Sequence, residues 1–229
     1  MELKKIAALV PMRHHSQRVP GKNYRSLAGK PLFHHILATL LDCPEIDQVV
    51  VDTDSPEILE GLQRYFPQVV ALERPQELRA DTIPMNEILL YDTSQVQADL
   101  YLQTHSTNPL LRSDTIRRAI FELRRQYPTF DSLFSVTRLQ TRLWDQLSQP
   151  VNHNPPILLQ TQDLPPIFEE NSCIYLFTRS TLLARRNRLG ERPLMFKMEA
   201  AEAWDIDEEL DFLVADALLC HRLKAEGKA

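Results

Sequence analysis

An alternation constrains this 229-residue chain more than any other feature. Through the first 140 residues, short continuous apolar runs take turns with stretches whose apolar residues recur at helical spacing. Ile6-Ala-Ala-Leu-Val10 is uninterrupted, as a strand buried on both faces must be. Val49–Val51, Val69–Leu72, Leu100–Leu102 and Ser132–Val136 read as further strands. Between them, Pro31 suits the first position of a helix whose buried face is Leu32, Phe33, Ile36, Leu37, Leu40 and Leu41. Ser55 can cap, and Pro56 open, a helix with Ile58, Leu59, Leu62 and Phe66 inward. A third helix is expected over roughly 84–91. A fourth, capped by Ser113 or Asp114, has Ile116, Ala119, Ile120, Leu123 and Tyr127 on its inner side. Repeated strand–helix units imply an α/β fold: a mostly parallel sheet with helices on both faces. Ligands of such sheets lie beyond the carboxyl ends of the strands. The loops after Val10, Val51, Leu72, Leu102 and Met198 are therefore expected to line one crevice.

Residues 137–170 break the rhythm. They are rich in Gln, Pro and Asn, with Pro-Pro at 155–156 and again at 165–166. A loop this long inside a compact domain is usually functional or an interaction arm. Strands are expected again at Cys173–Phe177 and Leu194–Met198. A last helix follows over about 208–223, with Leu210, Leu213, Val214, Ala217, Leu218 and His221 on one side. The whole reads as a single domain, 1–229, carrying an extended arm at 137–170.

Composition removes several function classes. Lys and Arg number 26 against 31 Asp and Glu, a net charge of −5, which argues against a globally basic nucleic-acid binder. No apolar run approaches the ~18 residues that span a membrane. The start of the chain reads as a first strand and not as a signal peptide. Cys43, Cys173 and Cys220 are far apart and form neither a zinc spacing nor an even disulfide set, which fits a reducing cytoplasm. Five glycines against sixteen prolines leave little room for a glycine-rich phosphate loop.

The chemistry-bearing residues cluster at strand exits. The first loop, Pro11 to Asn23, holds Arg13, Arg18 and Lys22 with Ser16 and Asn23 between them. Cations and loop N–H groups at that place suit a phosphate, although the same residues also fit a solvated loop with scattered charges. It is not a P-loop, because Asn23 follows Gly21-Lys22 and Ser16 stands where a glycine is needed. In Trp204-Asp-Ile-Asp207, Ile206 can face inward while Asp205 and Asp207 share the other face. Two adjacent carboxylates suit Mg²⁺ together with substrate phosphate oxygens. Capping of the last helix explains Asp207 equally well, and Asp205 less well. Asp52 and Asp54 read as a turn and helix start. Arg74 to Thr82 groups guanidinium, carboxylate and hydroxyl at another strand exit. His14-His15 and His34-His35 are adjacent pairs, not i, i+4, which speaks against zinc.

In order along the chain, these segments resemble the acylneuraminate cytidylyltransferase family, which makes CMP-activated sialic acids and related ulosonates. The likeness rests on Val10-Pro-Met-Arg13, Ser16, Pro20-Gly-Lys-Asn23 and Leu27-Ala-Gly-Lys-Pro-Leu32. It continues through Val49 to Ser55, Arg74 to Thr82, Gln162-Asp-Leu-Pro-Pro166, Glu170-Asn171, Ile174-Tyr-Leu-Phe177, Asp205-Ile-Asp207 and Asp211-Phe212. The resemblance implies a Rossmann-like nucleotidyltransferase fold, a cytoplasmic homodimer and a role in making cell-surface polysaccharide. It implies a Mg²⁺-dependent reaction of CTP with an acidic sugar, with no nucleic acid and no membrane as partner. By the same likeness Arg13, Ser16, Lys22 and Asn23 would hold CTP, with Arg13, Lys22 and Asp207 catalytic. Arg74 and Thr82 would approach the cytosine. Gln103, Gln162 and Tyr175 would face the sugar, Asp205 and Asp207 would hold Mg²⁺, and the 137–170 arm would reach into a partner's site.

Three departures stand out. His14 and His15 occupy positions where the family has small residues, and Gln160-Thr161 stands where it often has a basic one, leaving Arg138 or Arg142 to meet a substrate carboxylate. The segment Gln103 to Pro109 is also longer than usual. Together these point to an unusual acid sugar. The competing expectations are a nucleotidyltransferase of the same fold using another NTP or a sugar phosphate, and a non-catalytic nucleotide- or sugar-binding relative.

Overall fold

All seven residues of strand β1 (Ile6–Met12) are buried, because it has a parallel neighbour on each side and helices over both faces. After a separate short hairpin of β2 (Ser26–Leu27) and β3 (Lys30–Pro31), those neighbours are β4 (Gln48–Thr53) and β6 (Leu100–Gln103), and β5 (Val70–Glu73) extends the sheet beyond β4. The other half is built from β7 (Ser132–Leu139), β8 (Ile167–Phe177) and β9 (Pro193–Lys197). The sheet order in this computed structural model, which describes residues 3–227, is β5–β4–β1–β6–β8–β7–β9. Six strands are parallel and β8 alone runs against its neighbours, so the expected mostly parallel α/β sheet is what forms. The chain moves outward from β1 in both directions, which creates a switch point between β1 and β6 where a ligand crevice opens.

Among the described residues six α-helices cover the sheet: α1 (Leu32–Leu41), α2 (Pro56–Tyr65), α3 (Met85–Gln95), α4 (Ser113–Gln126), α5 (Arg179–Arg185) and α6 (Glu209–Ala225). One face packs Ile6, Ala8 and Val10 of β1 against α1, α2 and α4 through Phe33, Leu37, Ile58 and Ile120. The opposite face packs Ala7 and Leu9 against α3 and α5 through Leu89 and Leu182. A third cluster joins Val19, Leu27 and Leu32 to Ile206 and to Phe212, Ala215 and Leu219 of α6. That cluster fastens the late acidic segment to the loop after β1.

Several elements differ from the sequence reading. α3 runs a turn longer than expected because Asp92 and Thr93 continue its buried side. α4 has no capping side chain of its own. The Glu202 carboxylate accepts from the Arg112 N–H (3.1 Å) and the Thr115 hydroxyl (3.0 Å), while Ser113 donates to Asp42. On α6 the side marked by Leu210, Leu213 and Leu218 faces outward, and Phe212, Ala215 and Leu219 are the buried ones.

The 137–170 segment is partly regular. Residues 137–139 of β7 pair antiparallel with 167–169 of β8, forming a stem. Beyond it the chain is irregular, with Trp144, Leu147, Val151, Ile157 and Leu158 exposed.

Candidate active site

Four strand exits converge on an open crevice of about 650 Å³, a size that suits a small ligand. Arg13, His15, Ser16, Lys22 and Asn23 come from the loop after β1; Arg74 and Asp81 follow β5; His105 to Thr107 follow β6; Asp205 and Asp207 follow β9. The loop after β4, also expected there, stands behind the lining: Asp54 Oδ1 accepts from the His14 N–H (2.8 Å).

The loop after β1 turns at Gly21, whose φ of 66° is easy for glycine, and an added Cβ there would meet the Tyr24 ring at 2.8 Å. Lys22 is thereby aimed inward. Its Nζ donates to the Ile206 carbonyl and lies 3.9 Å from Asp207 Oδ1. Burial pushes the Lys22 ammonium down, and Asp205 and Asp207 oppose that. Asn23 is buried and spends its amide on the loop: Nδ2 donates to the Arg13 carbonyl (2.8 Å) and Oδ1 accepts from Ser106 Oγ (2.6 Å). Ser16 Oγ accepts from the Val19 N–H (3.3 Å), and Arg13 pairs with Asp81.

The late acidic pair meets this loop. Ile206 is fully buried between Val19 and α6, so Asp205 and Asp207 flank it on the crevice side, as alternation requires. Arg18 Nη2 donates to Asp207 Oδ1 at 2.7 Å across 189 residues of sequence. Loss of surrounding water, and then the Asp207 charge, push the Asp205 carboxyl up against the pull of the Thr107 hydroxyl. The capping role open to Asp207 belongs instead to Glu208, in a reciprocal capping box with Asp211. Among the described residues no three His, Cys, Asp or Glu side chains gather to hold a metal by themselves. Two hard carboxylates beside a phosphate-sized opening nevertheless fit Mg²⁺, which is commonly held by one or two carboxylates plus substrate phosphates.

Arg74 is fully buried, and its Nε donates to Asp52 Oδ1. Asp52 is thus no mere turn residue: it anchors the guanidinium that faces the crevice. Thr82 lies exposed beside the crevice, which its neighbours Asp81 and Ile83 line. Only one of the two early histidines faces inward. His15 lines the crevice, whereas the His14 ring contacts Ser55 Oγ (2.9 Å) and Glu57 (3.1 Å) and stacks on Tyr24.

Gln103 and Tyr175 are cross-strand partners, both fully buried. The Arg188 guanidinium lies over the Tyr175 ring (3.5 Å) and donates to Gln103 Oε1. The Tyr175 hydroxyl donates to Glu170 and sits 3.1 Å from Ser172 Oγ. His105 contacts Gln103 Nε2 at 3.0 Å, and burial with the Arg188 and Lys22 charges pushes it down to about 4, so its ring is neutral. Gln162 is brought to none of these; it is exposed on the arm and bonds to Gln160. Arg138 and Arg142 also lie on the stem and arm, where Arg142 donates to the Leu159 carbonyl. Sequence reasoning missed Arg188 and His105. His105 follows a strand exit and was open to discovery, but Arg188 is one of several arginines in 185–192 and nothing in the sequence distinguishes it.

The family profile described as "Cytidylyltransferase" matches residues 7–215. The chain belongs to the cytidylyltransferase family. Among its relatives is a CMP-N,N'-diacetyllegionaminic acid synthase of Legionella pneumophila, 30% identical over 94% of this chain and 96% of that protein. An N-acylneuraminate cytidylyltransferase of Oncorhynchus mykiss is 28% identical over 94% of this chain and half of its own length. A CMP:2-keto-3-deoxy-manno-octonic acid synthetase solved with CTP superposes with a TM-score of 0.70 at 17% identity, over 96% of this chain and all of that one, which supports the fold. Among the described residues of this cytidylyltransferase, no helix is long and apolar enough to cross a membrane.

Proposed function

We propose that this cytidylyltransferase moves CMP from CTP onto the anomeric hydroxyl of a ulosonate of the sialic or legionaminic kind, releasing pyrophosphate. The observation that carries the reading is the meeting of Arg18 and Lys22 with Asp207 at the switch-point crevice. The printed activities of the relatives give the substrate class.

The sugar hydroxyl attacks the α-phosphorus while the bond to the β,γ-pyrophosphate breaks, and negative charge grows on the leaving oxygens. Lys22 and Arg13 hold that charge, Lys22 from a largely buried position where such a charge acts most strongly. Asp205 and Asp207 would hold Mg²⁺, which screens the phosphate oxygens when bound. Ser16 and Asn23 shape the loop beneath the triphosphate. Arg74, with one guanidinium nitrogen free of partners, faces the base, and Thr82 stands near it. Gln103 and Tyr175, roofed by Arg188, form the sugar side. Gln162 joins from the arm of a second copy: its exposed apolar residues, Trp144, Leu147, Ile157 and Leu158, call for a covering partner, and a homodimer supplies one.

Pyrophosphate release from each of the four NTPs against a panel of ulosonates tests the reading. Release is expected with CTP, with Mg²⁺ and with nine-carbon ulosonates. Release with a sugar phosphate, or with another NTP in preference, overturns the substrate assignment; CTP binding without any release makes the chain a non-catalytic relative.

A further inference from the structure

Behind the base side of the crevice lies a buried cluster that the reaction does not use directly. Asp52 on β4, Arg74 after β5 and Asp92 on α3 are each at most 1% exposed. Arg74 Nε is satisfied by Asp52 Oδ1. Asp52 Oδ2, both Asp92 oxygens and Arg74 Nη1 have no partner. Two ionised carboxylates in contact would leave three buried acceptors without a donor, beside one guanidinium carrying a single charge. That arrangement is costly in an interior of low polarity. One proton between the carboxyls removes most of the cost, because an Asp–Asp contact then becomes a hydrogen bond and the cluster becomes neutral.

We infer that Asp92 carries a proton shared with Asp52, and that this pair is the positioning element that holds the Arg74 guanidinium in the crevice wall. The inference builds on the CTP reading, in which Arg74 faces the base. Burial and the Asp52 charge push the Asp92 carboxyl up to about 8, with Arg74 opposing. The charged and titratable groups around the pair are Arg74, Asp54 near Asp52, Tyr91 on α3, and Glu77 close to Tyr91. Once Asp92 ionises, Arg74 Nη1 is an unpartnered donor in the same buried cluster. The guanidinium is then drawn back toward α3, and the crevice wall gains a negative charge that opposes a polyanionic nucleotide.

The test is the KM for CTP between pH 7 and 9.5 in the wild type, Asp92→Asn and Asp92→Ala, with infrared spectra of the ligand-free proteins. Loss of charge on Lys22 at high pH weakens CTP in every variant, so the ratio of wild type to Asp92→Asn isolates Asp92. That ratio is expected to rise about tenfold across the range, as a single proton is lost. Asp92→Asn, which copies the neutral acid, is expected to rescue what Asp92→Ala loses at pH 7. A buried carboxylic-acid carbonyl band is expected in the wild type at pH 7 and not in Asp92→Asn. A constant ratio, or no such band in the wild type, overturns the inference. If the wild type shows the band but binds no CTP by calorimetry, the nucleotide reading and the Arg74 role fall together, and the shared proton stands.

Discussion

The two halves of the proposed site are built differently. On the proposed nucleotide side the walls are loops held by residues far away in sequence: Asn23 by Ser106, Arg18 by Asp207, Arg74 by Asp52. On the proposed sugar side, Gln103 and Tyr175 lie outside the crevice lining, rest on an antiparallel strand pair and are covered by Arg188, while Gln162 stands out on an arm whose apolar residues face solvent. On the proposed reading the first half is complete within one chain, and the second is completed by a second copy. The contrast teaches that anchoring of a polyanion and choice of sugar are separable, and variants on each side should differ in which KM they move.

The largest effect is expected from Asp207→Ala, which removes a carboxylate from the proposed metal-binding pair and frees Arg18. Turnover should fall by about 10³-fold or more, equivalent to ~4 kcal/mol of transition-state stabilisation, with an unchanged melting temperature. Wild-type turnover would remove Asp207 from the site. Phe212→Ala comes next. It empties a buried ring from the cluster that seats Ile206, and chemical denaturation should show a loss of about 3 kcal/mol. Lys22→Ala should lower kcat/KM for CTP by about 10²-fold, leaving the KM of the sugar nearly unchanged. Equal damage to both substrates would break the division between the halves.

A smaller change is expected on the arm. Leu158 is the most exposed of its apolar residues, at 86%. Leu158→Asp should shift the protein from dimer to monomer in light scattering and raise the KM for the ulosonate about tenfold, since each tenfold step is ~1.4 kcal/mol, while the KM for CTP stays put. A monomeric wild type with full activity would sink the role given to the arm.

Much of the nucleotide half was legible because parallel strands buried on both faces must be continuous apolar runs, and their exits are where polar residues interrupt them. Ile6 to Val10 and Val49 to Val51 announced themselves in this way, and so did the Arg13 to Lys22 loop. Asp205 and Asp207 were legible as a pair because Ile206 had to point inward. Asp52 was not: a buried carboxylate is stabilised by a guanidinium 22 residues away and by Asp92 on another element, and local sequence holds no sign of either. Arg188 was hidden for the same reason. The stem of the arm was missed because Glu169 and Glu170 carry the polarity of a loop, yet an exposed two-stranded ribbon has only its partner strand to satisfy.

The smallest expected effect is also the one that best separates pattern from packing. Periodicity alone marks Leu210, Leu213, Val214, Ala217 and Leu218 as a helical stripe, and a stripe of that kind normally faces a core. In α6 it does not, because the neighbouring stripe of Phe212, Ala215 and Leu219 docks on Val19, Leu27 and Leu32, with the Arg25 guanidinium 4.2 Å from the Phe212 ring centre. The capping box formed by Glu208 and Asp211 sets the phase of the first turn and so turns Phe212 inward. Leu213, 63% exposed, loses little water-excluded area when shortened. Leu213→Ser should therefore change stability by no more than ~0.5 kcal/mol, against the ~3 kcal/mol expected of its neighbour. A cost for Leu213→Ser as large as that of Phe212→Ala would mean that the helix is rotated by about one residue, or 100°, from the packing described. Such a rotation would also carry Ile206 away from Lys22 and undo the meeting of the two ends of the chain.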